Sequence, residues 1–233
     1  MKNQYLGDNR DLFKYDLVLK IINARLARNF NFVPMLTPDE TDNKNGRREG
    51  EQRNRSKAKA GWKNRELVEF LDRFNNENKR DINKLHSYFR SKKCPMKIYE
   101  DYFNHPNRHE YFRKLKQSLI PKSLICIDPD NGLEVKRSRE KHIMYSEVKD
   151  LYGCIDKTSI LMLFQYIPRE KRDIFFKGIC EKLEHEIGCW PIYISDNQIV
   201  FFFLTKDKSL RASLSNTLND YVDFYPELII SEN

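Results

Sequence analysis

The sequence predicts an α/β fold built on a mostly parallel sheet, and three features carry that prediction. Residues 123–128 (Ser-Leu-Ile-Cys-Ile-Asp) form an uncharged run that ends abruptly in acid. Strands buried on both faces of a parallel sheet read this way. Residues 159–166 (Ser-Ile-Leu-Met-Leu-Phe-Gln-Tyr) repeat the pattern, with helical stripes between and after the two runs. Near the end, residues 190–194 and 198–204 are rich in β formers and flank Ser195-Asp196-Asn197, a hairpin signature. Alternating helices and strands imply helices on both faces of the sheet. A parallel strand, a helix and then a hairpin would insert an antiparallel strand into it.

The elements follow in order. Asp8 is placed to cap a first helix, with Asp11 in the first turn near its positive end. Leu12, Phe13, Leu17, Val18, Ile21, Ile22 and Leu26 then recur over a broad apolar face. Residues 31–37 read as a strand; Pro34 removes a ladder donor, so the strand either bulges there or begins after it. Residues 42–61 lack periodicity and are almost devoid of apolar side chains, which predicts a long mobile or functional loop anchored at Trp62. Asn64 caps the next predicted helix, with Leu67, Phe70, Leu71 and Phe74 on one face. Another helix carries Ile82, Leu85 and Phe89, and residues 96–99 make a short strand. Asn107 and Glu110 have capping-box spacing ahead of Tyr111, Phe112, Leu115 and Leu119. Ser146 is expected to cap a helix with Val148 and Leu151, and Pro168 to open a longer one that Gly188 ends. Leu210, Leu214 and Leu218 line a last helix, and residues 225–230 form an apolar extension. The chain reads as one α/β domain over residues 1–233 with an insertion at 42–61.

Apolar residues make up 39% of the 233 and charged residues 33%, a polar but foldable composition. No apolar run approaches the roughly 20 residues of a membrane helix. The first residues have no signal-peptide core, so a cytoplasmic location is expected. The cysteines form no CxxC pair, which predicts reduced thiols and no metal cluster. Formal net charge is +8, and Arg47, Arg48, Arg53, Arg55, Lys57 and Lys59 crowd together against only Glu49 and Glu51. Such a block points to a nucleic-acid partner, DNA or RNA, gripped through its phosphates.

Open α/β sheets place ligands at the carboxyl ends of their strands. Asp128 is therefore the first candidate: a carboxylate ending an apolar strand is costly unless solvated, paired or ligand-bound. Asp130 and Glu134 add acid to the same turn, a donor set that suits Mg²⁺. Lys14 snorkels, pairs with Asp128 or touches phosphate. Tyr15 is core, or stacks on a base. Asp8 and Asp11 are helix caps or the polar rim of a cofactor pocket. Asp39 holds a ribose or an amine, or caps the surface. His142 is a lone candidate base, and Gln165 and Tyr166 end the neighbouring strand.

The blocks Gly7-Asp8-Asn9-Arg10-Asp11-Leu12-Phe13-Lys14-Tyr15 and Asp128-Pro129-Asp130-Asn131-Gly132-Leu133-Glu134 together resemble a family of bacterial and phage-borne proteins of unassigned activity. More distantly, the chain is similar to the bacterial large-subunit rRNA adenine-N6 methyltransferases. Asp11, Lys14 and Tyr15 fall on the aspartate, lysine and histidine of their N-terminal block. Their catalytic Asp-Pro-Pro-Tyr follows a buried strand, as Asp128-Pro129-Asp130-Asn131 does here. The three-Cys-motif partner proteins share the plan. The likeness implies a Rossmann-like, methyltransferase-like fold with S-adenosylmethionine as cofactor. It implies that Asp128 orients an acceptor amine in nucleic acid, with Asp130 and Lys14 beside it and Asp8, Asp11, Tyr15 and Asp39 around the cofactor. Asp130 and Asn131 stand where that motif has proline and an aromatic, and residues 37–41 stand where a glycine loop is usual. Two alternatives stay open: a metal-dependent nuclease using Asp128, Asp130 and Glu134, and a non-catalytic nucleic-acid-binding protein on the same scaffold.

Overall fold

The computed structural model describes residues 1–38, 52–76, 80–138 and 140–231. In chain order the elements are α1 (Asn9–Asn23), β1 (Asn29–Val33), α2 (Arg65–Asp72), α3 (Leu85–Ser91), β2 (Met96–Ile98), α4 (Arg108–Ser118), β3 (Ser123–Ile127), β4 (Gly132–Leu133) and β5 (His142–Ile143). There follow α5 (Tyr145–Cys154), β6 (Ile160–Tyr166), α6 (Arg172–Ile187), β7 (Ile192–Ser195), β8 (Ile199–Leu204), α7 (Lys208–Phe224) and β9 (Ile229–Ile230). The main sheet has the order β2-β1-β3-β6-β8-β7-β9. Strands β2, β1, β3 and β6 pair in parallel, and β8 runs antiparallel between β6 and β7. The hairpin therefore inserts a reversed strand, as its sequence position implied. Strand β9 adds to the edge, antiparallel to β7.

Alternation along the strands divides the core. Leu124 and Cys126 face a cluster with Phe13, Leu17, Leu71 and Leu218, so α1, α2 and α7 cover that side. Ile125 and Ile127 face Leu115, Val148 and Leu183, from α4, α5 and α6. Burial on both faces is why β3 reads as an unbroken apolar run. Asp16, buried on α1, joins three elements. It accepts hydrogen bonds from Asn64 Nδ2 (2.8 Å), Tyr221 OH (2.8 Å) and Tyr225 OH (3.1 Å).

Several local expectations are corrected. Strand β1 neither bulges at Pro34 nor begins after it: it ends at Val33, and its five residues pair with β3 before proline removes the next donor. Asn107 does not cap α4 with its side chain, and Glu110 pairs with Arg113 instead. Helix α5 starts before Ser146, where Glu147 Oε2 accepts from Met144 N at 2.8 Å. Helix α6 starts at Arg172 rather than Pro168, because Ile167 N still bonds Gln198 O (2.9 Å) and prolongs the strand pairing. Gly188, at φ 73°, does end α6.

Part of the expected loop is packed. Asn54 caps a short 3-10 turn at Arg55–Lys57, and Ala58 and Ala60 are buried. Gly61 has φ +79°, and a Cβ there would lie 2.7 Å from the Leu12 carbonyl oxygen, so only glycine allows this approach to α1. Residues 39–51, which include Asp39, Arg47 and Arg48, lie outside the described residues. Among the described residues no helix is long and apolar enough to cross a membrane.

Asn31 breaks the apolar pattern of β1. It is 4% exposed, opposite Ile125, and neither atom of its amide has a hydrogen-bond partner among the described residues. An unsatisfied buried amide costs about 1–3 kcal/mol. Asn31→Val is therefore expected to stabilise the protein by about 1 kcal/mol, read as a higher urea midpoint at unchanged slope. A lower midpoint would mean that the amide holds an ordered water worth more than the apolar replacement.

Candidate functional site at the carboxyl edge of the sheet

A cavity of about 350 Å³ opens where the carboxyl ends of β3 and β6 meet the first turns of α1. Helix α1 contributes Asp8, Arg10, Asp11 and Lys14, the β3 turn Asp128 to Asn131, and β6 Phe164 and Tyr166. Met1, Lys2, Tyr5 and Lys141 complete the wall.

The sequence builds this wall locally. Asp8 Oδ1 accepts from Arg10 N (2.9 Å) and Asp11 N (3.1 Å), which starts α1 at the cavity rim. Asp11, Lys14 and the following turns then fall at helical spacing, so Lys14 Nζ reaches Asp11 Oδ1 at 2.7 Å. The same ammonium reaches Asp128 Oδ2, 114 residues away in sequence, at 2.6 Å. Lys14, Asp11 and Asp128 are only 2%, 4% and 4% exposed. Asp11 Oδ2 also accepts from Gly7 N at 2.7 Å.

The β3 turn is fixed from below. Gln165 Oε1 accepts from Leu133 N (2.6 Å), so the glutamine of β6 lies directly beneath Gly132. Gly132 has φ +109°, and a Cβ there would sit 2.3 Å from Gln165 Oε1. Glycine at this position lets the turn close over β6 and hold Asp128 and Asp130 where they are.

The electrostatics follow from burial. Burial works against the charge on Lys14, but Asp11 and Asp128 outweigh it and hold the ammonium well above its ordinary range. Burial raises the Asp128 carboxyl, and Lys14 opposes the rise. Asp8 is pushed up to about 6 by burial and then by Asp11, against the pull of Arg10. Burial would raise Asp130 too, but the Met1 ammonium at 2.8 Å and the Thr37 hydroxyl at 2.6 Å outweigh it and hold it low. The Met1 ammonium also donates to Pro34 O (2.8 Å) and Asp128 O (3.2 Å). Arg10 pairs with Asp8 at 3.2 Å and lies 4.7 Å above the Tyr166 ring, which meets Phe164 edge-on at 4.9 Å.

The structure thus brings together Lys14, Asp8, Asp11, Asp128 and Asp130. Tyr15 does not line the cavity. It is fully buried behind Lys14, whose ammonium lies 5.0 Å from its ring, edge-on to Phe32 and Phe89, and its hydroxyl has no partner among the described residues. Arg53 and Arg55 turn inward rather than out to a phosphate chain. Arg53 donates to Leu6 O (2.5 Å) and Asn75 Oδ1 (2.8 Å). Arg55 donates to Gly7 O (2.8 Å), Asn9 Oδ1 (3.0 Å) and Asp72 Oδ1 (2.9 Å). Both buttress the turn that presents Asp8. Lys57 is exposed, and Lys59 pairs with Glu227. Glu134 lies off the cavity, accepting from Tyr145 N at 3.0 Å. Asp128, Asp130 and Glu134 each have their own partner, and among the described residues no group of three or more histidine, cysteine or acidic side chains is arranged to hold a metal. His142 also lies off the cavity; burial, and then Arg108, hold its ring below the usual range.

Sequence reasoning missed Met1, Lys2, Tyr5, Arg10, Lys141 and Phe164 as wall residues. Phe164 had a signal, because it shares a strand face with Tyr166 two residues on. Arg10 had a weaker one, two residues after the capping aspartate.

Comparison with protein-family models, with curated proteins and with solved structures finds no match.

Proposed function

We propose that this chain is a methyltransferase-like enzyme acting on an exocyclic amine of a nucleobase in nucleic acid, with S-adenosylmethionine as the methyl donor. The observation that carries the reading is Asp128 at the tip of β3. One of its oxygens is locked by Lys14, and the other has no hydrogen-bond partner among the described residues at the wall of the cavity. A carboxylate held so is an acceptor for an amine N–H, and Lys14 fixes its orientation. Methyl transfer needs alignment of the acceptor more than strong acid–base help. The sheet order is compatible with the same reading: a mostly parallel sheet in which the reversed β8 lies between β6 and β7 suits the methyltransferase-like fold that the motif resemblance implies.

The acceptor side fits the reading, and the donor side departs from it. Among the described residues after β1 there is no glycine cradle. Pro34 is followed by buried Met35 at φ +43°, and both carbonyls accept from the Met1 ammonium. We therefore assign roles only to the chain's own residues: Asp128 accepts from the amine, Lys14 positions Asp128, and Arg10 with Tyr166 forms a flat wall.

The test is calorimetric titration with S-adenosylmethionine and S-adenosylhomocysteine, followed by labelled-methyl transfer to total RNA and DNA. Binding of either compound is expected, with transfer lowered about a hundredfold or more in a folded Asp128→Ala variant. No heat from either compound and no transfer would sink the proposal and leave nucleic-acid binding without catalysis.

A further inference from the structure

Among the described residues of the basic run before α2, Arg53 and Arg55 turn inward and Lys59 is paired. Another row of cations lies at the opposite, amino-terminal edge of the sheet. The turns that enter β2, β1, β3 and β6 touch one another there. Phe30 N donates to Pro95 O (2.9 Å) and Arg28 N to Lys122 O (2.8 Å). Lys122 N donates to Asp156 Oδ2 (3.2 Å), and Ser123 N to Ser159 Oγ (3.0 Å). The four turns carry Lys93, then Arg25 and Arg28, then Lys122, then Lys157. Arg25, Arg28, Lys93 and Lys157 are exposed and Lys122 is half-buried. No ion pair joins any of them to a carboxylate among the described residues. Asp156 lies within the row, but its oxygens already accept from Thr158, Ser159 and the Lys122 backbone.

Three of these cations hold left-handed backbone: Arg25 at φ 60°, Lys93 at φ 55° and Lys122 at φ 54°. Glycine takes such positions without strain and asparagine with little, whereas a long cationic side chain there is strained. The partial negative charge of a helix end accounts for Arg25 and Lys93, which follow α1 and α3. It does not account for Lys122, which is set off from α4 by extended backbone at Leu119. Neighbouring strands lie about 4.8 Å apart, so four successive turns span about 14 Å. That is the axial rise of roughly four nucleotides of one strand in a duplex.

We propose that this amino-terminal edge is a docking surface for the phosphodiester backbone of a nucleic acid, separate from the cavity and blind to sequence. The inference holds whatever chemistry the cavity performs. A nucleic acid fits better than an anionic membrane, because the large apolar side chain exposed in these turns is Ile120, at 38%, with no apolar helix face beside it to insert.

The test is fluorescence anisotropy of the full chain with a labelled mixed-sequence oligonucleotide, single- and double-stranded, between about 50 and 200 mM salt. The combined variant Arg28→Gln, Lys93→Asn, Lys122→Asn, Lys157→Gln keeps residues that tolerate left-handed backbone at 93 and 122. It is expected to bind at least about tenfold more weakly at low salt, with the log–log salt slope flattened by about four. Each single substitution is expected to flatten the slope by about one, which keeps the inference testable if the combined variant does not fold. A Lys57→Gln, Lys59→Gln variant is expected to bind as the parent chain does. Wild-type affinity in the amino-edge variants, loss confined to the Lys57 and Lys59 variant, no binding by the parent chain, or a preference for phosphatidylserine vesicles over the oligonucleotide would each overturn the proposal. Mononucleotide and methyl-donor binding at the cavity is a separate measurement, so failure here and failure of the methyltransferase reading are distinguishable.

Discussion

Replacing Lys14 with methionine is expected to destabilise the fold by about 3–5 kcal/mol near neutral pH. The ammonium stands between two buried carboxylates at 2.7 and 2.6 Å. Removing it strands both charges at almost fully buried positions. Asp11 keeps the Gly7 N–H, but Asp128 Oδ2 has no substitute donor. The pH dependence follows from the direction of the Asp128 shift. Its folded value already lies above the ordinary 3.8, through burial, and Lys14 is what restrains the rise. Without Lys14 the folded value climbs further. A group whose folded pKa is raised contributes stability below its unfolded pKa and loses it as pH rises through the folded one. The deficit of the variant should therefore be small in acid, below about 4, and grow towards neutrality. Adding Asp128→Asn to Lys14→Met removes one stranded charge and is expected to recover part of the loss in a double-mutant cycle. Equal urea midpoints for parent and Lys14→Met would mean that the ammonium does not pair with these carboxylates in solution.

That pair also marks where sequence reading reaches and where it stops. Asp8 was legible as a cap because a side-chain acceptor directly before an apolar helical stripe has few other uses. Strands β3 and β6 were legible because burial on both faces leaves no room for polar residues. The reversed strand followed from Asp196 and Asn197 between two apolar arms; Asn197 takes φ 81°, and Asp196 Oδ1 accepts from Gln198 N and Ile199 N at 2.9 Å. The union of Lys14 with Asp128 was one option among three, because nothing local to either residue encodes a partner more than a hundred positions away. Tyr15 was pulled two ways. Its place among the apolar residues of α1 pointed inward, its alignment with a family histidine pointed to a ligand, and in the structure the packing side holds it. Residues 52–61 misled most. A charge run reads as solvated, yet Arg53 and Arg55 find carbonyl partners at Leu6 and Gly7 that exist only once α1 is in place. The small residues Ala58, Ala60 and Gly61 were the available signal for close packing.

Asp8→Asn is expected to act in the opposite sense, raising stability by about 1–3 kcal/mol near neutral pH and changing it little in acid. The Asp8 carboxyl sits at about 6 in the fold, against 3.8 for the free group. Between those values the native state holds more protons than the unfolded state, so its contribution to stability falls as pH rises through that window. Above about 6 the penalty is complete, at roughly 1.4 kcal/mol for each unit of difference. Asparagine keeps the acceptor that caps Arg10 N and Asp11 N, so the start of α1 survives the change. The ion pair with Arg10 is lost, which offsets part of the gain. Urea midpoints of parent and variant, compared in acid and at neutral pH, isolate Asp8 from the other groups that titrate over the same range. A variant less stable than the parent at neutral pH would refute the argument, because it would mean that Arg10 more than balances the burial of Asp8. A stabilising result has a functional edge. A carboxylate kept at a cavity wall against the stability of the fold is a group held for a ligand. The stabilised Asp8→Asn protein should therefore bind the cavity's ligand less well, and a variant that gained stability with unchanged binding would remove Asp8 from the site.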